Sequence, residues 1–250
     1  MVQVDGLVLP TRTYAPRQFE AGDELPSDDY RKLLVKLVLD TGEAGPPEWL
    51  QALIDTFQRM LRLAPDVPSK CRAADFLSDE LRHCMLFDGL LRGLGEEPQE
   101  DGLTSLELLH VMTRSSTWPE YCMLNALGDR AAAFQIADYV NSSYAPLARV
   151  CKSVARDERG HAVMGEMHLR ALCAGATGRS EAQELLGSWY PNALDMFGRS
   201  DSGRQYRFIQ YGLKETPNEV MRQRYRADLE PILESCGLEI PDPLANRRVV

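Results

Sequence analysis

Two stretches constrain this chain's fold more than any others. They are "SDELRHCMLF", with Glu80 and His83, and "RDERGHAVMGEMHLRAL", with Glu158 and His161. Each sets a carboxylate and an imidazole three residues apart. At about 100° per residue, positions i and i+3 share one helix face, so each pair points one way. Apolar neighbours turn both faces inward: Phe76, Leu77, Phe87, Leu90 and Leu91 around the first, and Leu147, Cys151, Val154, Gly165 and Leu169 around the second. An unpaired buried carboxylate costs several kcal/mol, and two such pairs facing each other compensate poorly without cations. A dinuclear metal site resolves the conflict. Glu-x-x-His from each of two helices, with one carboxylate from each of two others, is the ligand set of di-iron and di-manganese carboxylate bundles. Mixed oxygen and nitrogen donors suit iron or manganese.

The rest of the chain agrees with a bundle. Apolar residues recur at helical spacing, as in "PEWLQALIDTFQRMLRL" with Trp49, Leu53, Phe57 and Met60, and no alternating strand pattern or fixed-period repeat is found. The fold class is all-α: a four-helix bundle with additions. We expect a single domain over 1–250, with an irregular arm at 1–27, the di-metal bundle at 28–175 and a helical extension at 176–250. Loops are expected at "WYPNALDMFGRSDSG" and "IPDPLAN".

Hairpin geometry locates a third ligand. In an antiparallel pair, residues at one level lie about equally far from the turn. The turn "NSSYAP" runs from Asn141 to Pro146, and it stands midway between Asp129 and Glu158. Asp129 also shares a face with Cys122, Asn125, Ala132, Ala133, Ile136 and Val140. The fourth helix's carboxylate has two candidates. Reflecting Glu80 through "LAPDVP" points to Glu48, which lies on the polar side of its helix and suits a first-turn position. Glu43, in "DTGEAGPP", is the rival, and Gly45-Pro46-Pro47 must kink the chain to accommodate it. A third Glu-x-x-His, Glu107 and His110, sits in a short segment between the hairpins and reads as a helix-surface or capping pair. His168 reads as a packing or supporting residue. Cys71, Cys84, Cys122, Cys151, Cys173 and Cys236 form no CxxC pair and read as reduced, mostly buried thiols.

Hydrophobic residues make up 44% of the chain and charged residues 26%, ordinary values for a globular protein. The net charge of −9 disfavours nucleic acid and anionic membranes as partners. No apolar run is long enough to span a membrane, and the N-terminus lacks a basic region followed by an apolar core. A cytoplasmic location is expected.

The motifs also carry a resemblance. The chain from about Tyr30 to Asn246 resembles the catalytic subunit of the phenylacetyl-CoA epoxidase family, within the ferritin-like di-iron oxygenases. The likeness rests on "YRKLLVKL", on Ala64-Pro65 ahead of Glu80, and on "TWPEYCMLNALGD". It continues through "SYAPLARVCKSVARDERGH", "YPNALDMFG", "NEVMRQRY" and "IPDP". It places the family's ligands on Glu80, His83, Asp129, Glu158 and His161. For the first helix, Glu43 matches the family's Glu shortly before a Gly, while Glu48 needs the smaller length change. The resemblance implies a ferritin-like bundle holding two Fe ions, for which Mn is a possible substitute. It also implies insertion of oxygen from O2 into an aromatic or acyl substrate, including a CoA thioester such as phenylacetyl-CoA or a secondary-metabolism intermediate. Expected partners are the small organic substrate, O2, a reductase, and a structural partner subunit or further copies of the chain. The sequence shows no iron–sulfur cysteine pattern and no Gly-rich dinucleotide motif, so electrons are expected from a separate protein. The alternatives are a non-catalytic scaffold subunit, an iron-storage protein, and a di-iron N-oxygenase or desaturase.

Overall fold

The computed structural model describes residues 18–45, 47–97 and 115–248, together with the backbone of Val2–Val4 and Leu7–Leu9. Those two short strands, β1 and β2, pair antiparallel within the stretch expected to be an irregular arm. Every other element among the described residues is helical. In chain order they are α1 (Asp28–Asp40), α2 (Pro47–Leu63), α3 (Val67–Gly93), α4 (Trp118–Met123), a π-helical turn (Leu124–Asp129), α5 (Arg130–Asp138), α6 (Ala145–Cys173), α7 (Ala176–Asp195), α8 (Gly203–Gln210) and α9 (Asn218–Ser235). The Glu107/His110 segment lies outside the described residues. No described helix is long and apolar enough to cross a membrane.

Local chemistry sets the helix starts. Ser27 caps α1 by accepting from the Tyr30 N–H, and Asp66 caps α3 by accepting from Ser69 N–H at 2.7 Å. Thr117 and Glu120 form a reciprocal capping box at α4. Each such cap is worth about 1 kcal/mol.

The chain forms a ferritin-like four-helix bundle with extensions. Its first helix is broken in two. α1 stops at Thr41, whose hydroxyl turns back to the Val38 carbonyl at 2.7 Å, and Gly42 takes a left-handed φ of 78°. The chain then runs irregularly to Gly45 before α2 begins. α3, the α4–π–α5 segment and α6 supply the other three bundle helices. α7 and α9 pack against the outside of the π turn and α5. "WYPNALD" therefore lies inside α7, which reaches Asp195 with Pro191 in its interior, and the expected loop starts only at Met196. Packing overrides the proline's preference here, because Trp189, Tyr190, Ala193 and Leu194 are all buried.

Two apolar clusters divide the interior. One gathers Phe57, Phe76, Leu127, Leu169, Tyr190 and Tyr225; the other gathers Tyr30, Leu34, Phe87, Leu91, Leu147 and Val154. Along α3 the boundary falls between Cys84 and Phe87, and along α6 between Ala155 and Leu169. The Glu-x-x-His residues lie at this level, so the candidate site is a polar slice between two apolar layers.

One close approach holds that slice together. A Cβ added to Gly165 on α6 would come within 2.3 Å of the Asn125 carbonyl carbon and 2.4 Å of the Ala126 nitrogen. Only glycine lets α6 touch the backbone of the π turn. The Leu127 carbonyl, which accepts from the Arg130 N–H within the turn, also accepts from the Tyr225 hydroxyl at 2.9 Å. We therefore expect Gly165→Ala to destabilise the protein by about 1–3 kcal/mol, the usual cost of overpacking. Gly160→Ala, on the same helix with open space around its Cβ position, should be neutral or stabilising by about 0.5–1 kcal/mol. Urea unfolding of both variants checks the contrast.

Candidate metal centre

Glu43, His83, Glu158, Glu80 and His161 converge in this polar slice. Two groups of ligand-capable atoms lie within 4.8 Å of one another: Glu43, His83 and Glu158 in the first, and Glu80, Glu158 and His161 in the second. Glu158 belongs to both. Glu43, Glu158 and the two histidines are buried, and 13% of the Glu80 side chain is exposed.

The contacts run across the bundle rather than along each helix. His83 Nδ1 lies 3.3 Å from Glu158 Oε1 and 3.9 Å from Glu80 of its own helix. His161 Nδ1 lies 3.3 Å from Glu80 Oε1 and 3.8 Å from Glu158 of its own helix. Each glutamate thus straddles both imidazoles. Glu43 Oε2 approaches His83 Nδ1 at 3.7 Å.

The far sides of the rings repeat this crossing. His83 Nε2 meets Asp157 Oδ2 at 3.3 Å, and His161 Nε2 meets Asp79 Oδ2 at 3.4 Å. The Asp before the Glu of one helix therefore holds the His of the other. Arg82 ties the two aspartates together, reaching Asp79 at 3.3 Å and pairing closely with Asp157. Burial raises the Asp157 carboxyl, but hydrogen bonds from Arg82 and His83 outweigh it and hold the group below its usual value. An ionised Asp157 only accepts, so His83 Nε2 donates to it while Nδ1 faces Glu158 and Glu43. Phe76 stacks on the His161 ring with centroids 3.6 Å apart, which fixes its plane. Asp79 and Asp157 were not among the sequence candidates. Their signal was an Asp directly before the Glu in both "DELRH" and "DERGH".

The sequence candidates fall into distinct places. Glu43 sits in the break after α1, its backbone N–H held by the Thr41 hydroxyl at 3.2 Å. Glu48 is exposed on the first turn of α2, away from the cluster. Asp129 ends the π turn, and Asn125 Nδ2 donates to its Oδ2 at 2.7 Å. It lines a cavity of about 50 Å³ together with Glu43, Glu80 and Glu158, though it lies outside both close groups. His168 is outside the cluster too and packs edge-on to Trp118 at 5.1 Å. The six cysteines are free thiols, with Cys71 exposed and the others buried.

The electrostatics of the slice are unfavourable as they stand. Burial, then repulsion from Glu80 and Glu158, raises the Glu43 carboxyl well above its usual value. Burial and Glu80 do the same to Glu158. Burial lifts Asp129 to about 7 against the partial relief of His161. For His161 burial works downward, but Glu80 apposed to the ring and the surrounding carboxylates win and raise it to about 9. Four buried atoms here have no hydrogen-bond partner: Glu43 Oε2, His83 Nδ1, Glu158 Oε1 and His161 Nδ1. Such atoms are rare in folded proteins, and all four face one another. Glu43, Glu80, Asp129 and Glu158 ionised with neutral imidazoles carry a charge that two divalent cations cancel. The donor set and the converging unpartnered atoms fit a two-metal centre, with oxygen and nitrogen donors of the kind taken by iron or manganese.

A ferritin-like helical bundle with buried carboxylate–histidine clusters at its centre defines a class: four-helix bundles whose centre has the donors to hold metal ions. Within that class the chain belongs to the phenylacetic acid catabolic protein family, whose pattern matches residues 50–248. Glu80, His83, Asp129, Glu158 and His161 fall inside the matched span, and Glu43 and Glu48 precede it. The chain is 28% identical over 130 residues to one subunit of the 1,2-phenylacetyl-CoA epoxidase of Escherichia coli strain K12, covering 51% of this chain and 42% of that protein. It is 24% identical over 224 residues to benzoyl-CoA oxygenase component B of Aromatoleum evansii, covering 76% of this chain and 46% of that protein. The chain thus spans less than half the length of these curated relatives.

Two outcomes follow from the geometry. Asp157→Asn and Asp79→Asn should each weaken iron affinity by about 10–100-fold, the usual effect of removing a carboxylate that orients a ligating imidazole; competition with a chelator measures it. The metal-free protein should lose stability as pH rises. A group whose folded pKa exceeds its unfolded one contributes fully below the unfolded value and loses that contribution as pH passes the folded one. For Asp129 the window runs from 3.8 to about 7, and for His161 from 6.5 to about 9. Melting temperatures of metal-free protein should therefore fall across this range. Iron-loaded protein should not follow, because ligation requires deprotonated donors.

Proposed function

We propose that this chain is a non-haem di-iron monooxygenase that inserts one oxygen atom from O2 into an aromatic or acyl substrate by epoxidation or hydroxylation. The observation that carries the reading is the sharing of Glu158 between two buried histidine–carboxylate groups. In this proposal Glu43 and His83 serve one metal, His161 and Asp129 serve the other, and Glu80 and Glu158 lie between them. Two irons held there supply reductive activation of O2. The protein fixes the donor geometry: Asp157 and Asp79 hold the imidazole protons at Nε2, and Phe76 locks the His161 plane. The apolar layers on either side exclude bulk water, which strengthens every charge interaction in the slice. Electrons come from a separate reductase. A structural partner subunit or further copies of the chain complete the assembly, and the site of action is the cytoplasm. The thioesters named for the relatives, phenylacetyl-CoA and benzoyl-CoA, are the first substrates to try.

The test is a single-turnover assay. Protein reconstituted with ferrous iron, reduced chemically and mixed with O2 and each thioester should yield a product heavier by one oxygen atom. Label from ¹⁸O2 should appear in that product by mass spectrometry. Glu158→Ala, folded but depleted in iron, should give none. Iron oxidation to mineral with no oxygenated product from either thioester would count for iron storage and against the oxygenase.

A further inference from the structure

Two buried thiols meet where α6 and α9 end. Cys173 is the last residue of α6, and Cys236 caps the C-terminus of α9. Both belong to the apolar cluster that also holds Leu169, Leu229 and Leu233. The two helix ends are pinned beside them. Arg170, one turn before Cys173, donates from Nη1 to the hydroxyl of Ser235, the neighbour of Cys236, at 2.6 Å. Gly237 then takes a left-handed φ of 74°, and the Leu238 N–H returns to the Leu233 carbonyl at 3.1 Å. That turn closes α9 and buries Leu238 in the same cluster. Just beyond it, Gln183 of α7 and the backbone of Glu239 exchange hydrogen bonds of 3.1 and 2.8 Å. Within this frame the Cys173 thiol faces the Cys236 thiol, and each perturbs the other's ionisation. The metal centre uses neither.

The pair is asymmetric. Burial, then the adjoining Cys236, raises Cys173 to about 11. Burial raises Cys236 as well, but Arg170, the Cys173 thiol and Ser235 all favour its thiolate. Cys173 therefore keeps its proton, and Cys236 is the first to lose one. Cys236 is also the more exposed, at 8% against 4%. The thiolate, not the thiol, attacks an oxidant, so Cys236 is the reactive member. Cys173 stands where a resolving thiol is needed. Cys122 is another thiol near Cys173, and burial, then Cys173, raises it to about 12.

We propose that Cys173 and Cys236 form a redox modification site, at which a peroxide converts the apposed thiols into a disulfide joining α6 to α9. The Cys236 thiolate attacks one oxygen of hydrogen peroxide. The O–O bond breaks, and hydroxide leaves and takes up the proton that Cys236 released, forming water. Cys236 is left as a sulfenic acid. The Cys173 sulfur then attacks the sulfenic sulfur, the S–O bond breaks, and the oxygen leaves as a second water with the Cys173 proton. The thiol pair loses two electrons and the peroxide gains them. The cross-link fastens α9, whose Tyr225 holds the Leu127 carbonyl, to α6, which carries Glu158 and His161. It constrains the unfolded chain, and a dithiol reverses it by exchange. The site needs no metal.

Peptide mapping tests the proposal. Reduced protein, as purified, is treated with a small excess of hydrogen peroxide; remaining thiols are alkylated, and a tryptic digest is read by mass spectrometry. Peptides 171–179 and 227–247 should appear linked, and dithiothreitol should release them. The treated protein should melt about 5 °C or more above the reduced form. Cys173→Ala should abolish the link and leave Cys236 as a sulfenic acid that dimedone captures. Cys236→Ala should leave Cys173 without dimedone. Melting temperatures of the reduced variants establish that they fold, and Cys→Ser variants at both positions repeat the map where an alanine variant does not. Glu158→Ala, depleted in iron, should form the link as wild type does, so a failure of the metal centre and a failure of the thiol site give different results. The proposal is overturned if folded wild-type protein forms no such link, links Cys173 to Cys122 instead, or yields the link only in urea. Dimedone captured on Cys173 in Cys236→Ala overturns it too.

Discussion

Buried carboxylates repel one another, and this bundle concentrates them at one level. Glu43, Glu80, Glu158 and Asp129 share a slice that water scarcely reaches, with only two imidazoles to offset their charge. Left alone, the slice is held by protonation: burial and mutual repulsion push Glu43 and Glu158 up, and Asp129 reaches about 7. The rest of the structure accommodates this one destabilising layer. Apolar clusters seal it above and below. Arg82 and the two aspartates it bridges hold the imidazoles from outside. The arrangement stores the cost of apposed charge where two cations can recover it.

Positioning these groups requires departures from regular helix at two places. The first bundle helix breaks between Thr41 and Gly45, which turns Glu43 inward at the level of His83. The third helix widens into a π turn at Leu124–Asp129. π turns recur at functional sites because the added residue redirects side chains, and here Asn125 and Asp129 meet within the turn. Gly165 on α6 and the Tyr225 hydroxyl from α9 make that distortion tolerable. The C-terminal extension therefore has a structural part in the centre. It also supplies α7, α8 and α9 around a cavity that opens beside the metal slice, so the same additions that brace the π turn shape the space next to it.

Much of this was legible from local spacing, and the remainder was not, for identifiable reasons. Helical periodicity revealed α2, α3 and α6, and the i, i+3 rule set the two Glu-His faces inward. Equal distances from "NSSYAP" pointed to Asp129, because a hairpin's symmetry is a property of the chain. The choice between Glu43 and Glu48 stayed open because Glu43 lies in a break, where periodicity has no face to assign. The structure places Glu43 in the cluster and leaves Glu48 exposed. Asp79 and Asp157 were missed because each acts on the histidine of the opposite helix, and a single-helix pattern carries no information across the bundle. The π turn, the passage of Pro191 through α7, and the β1–β2 hairpin were likewise set by packing or pairing beyond the local sequence. Cys173 and Cys236 drew no notice as a pair, since only the fold brings the ends of α6 and α9 together.

The central claim is that the polar slice is a two-metal centre built around Glu158. Crystals of the protein soaked anaerobically in ferrous iron, with diffraction recorded on either side of the iron absorption edge, test it most directly. The account predicts two anomalous peaks in the slice, one beside His83 and Glu43 and one beside His161, with Glu158 within ligand distance of both. A single peak, peaks elsewhere on the molecule, or a slice without iron at saturating metal would contradict it.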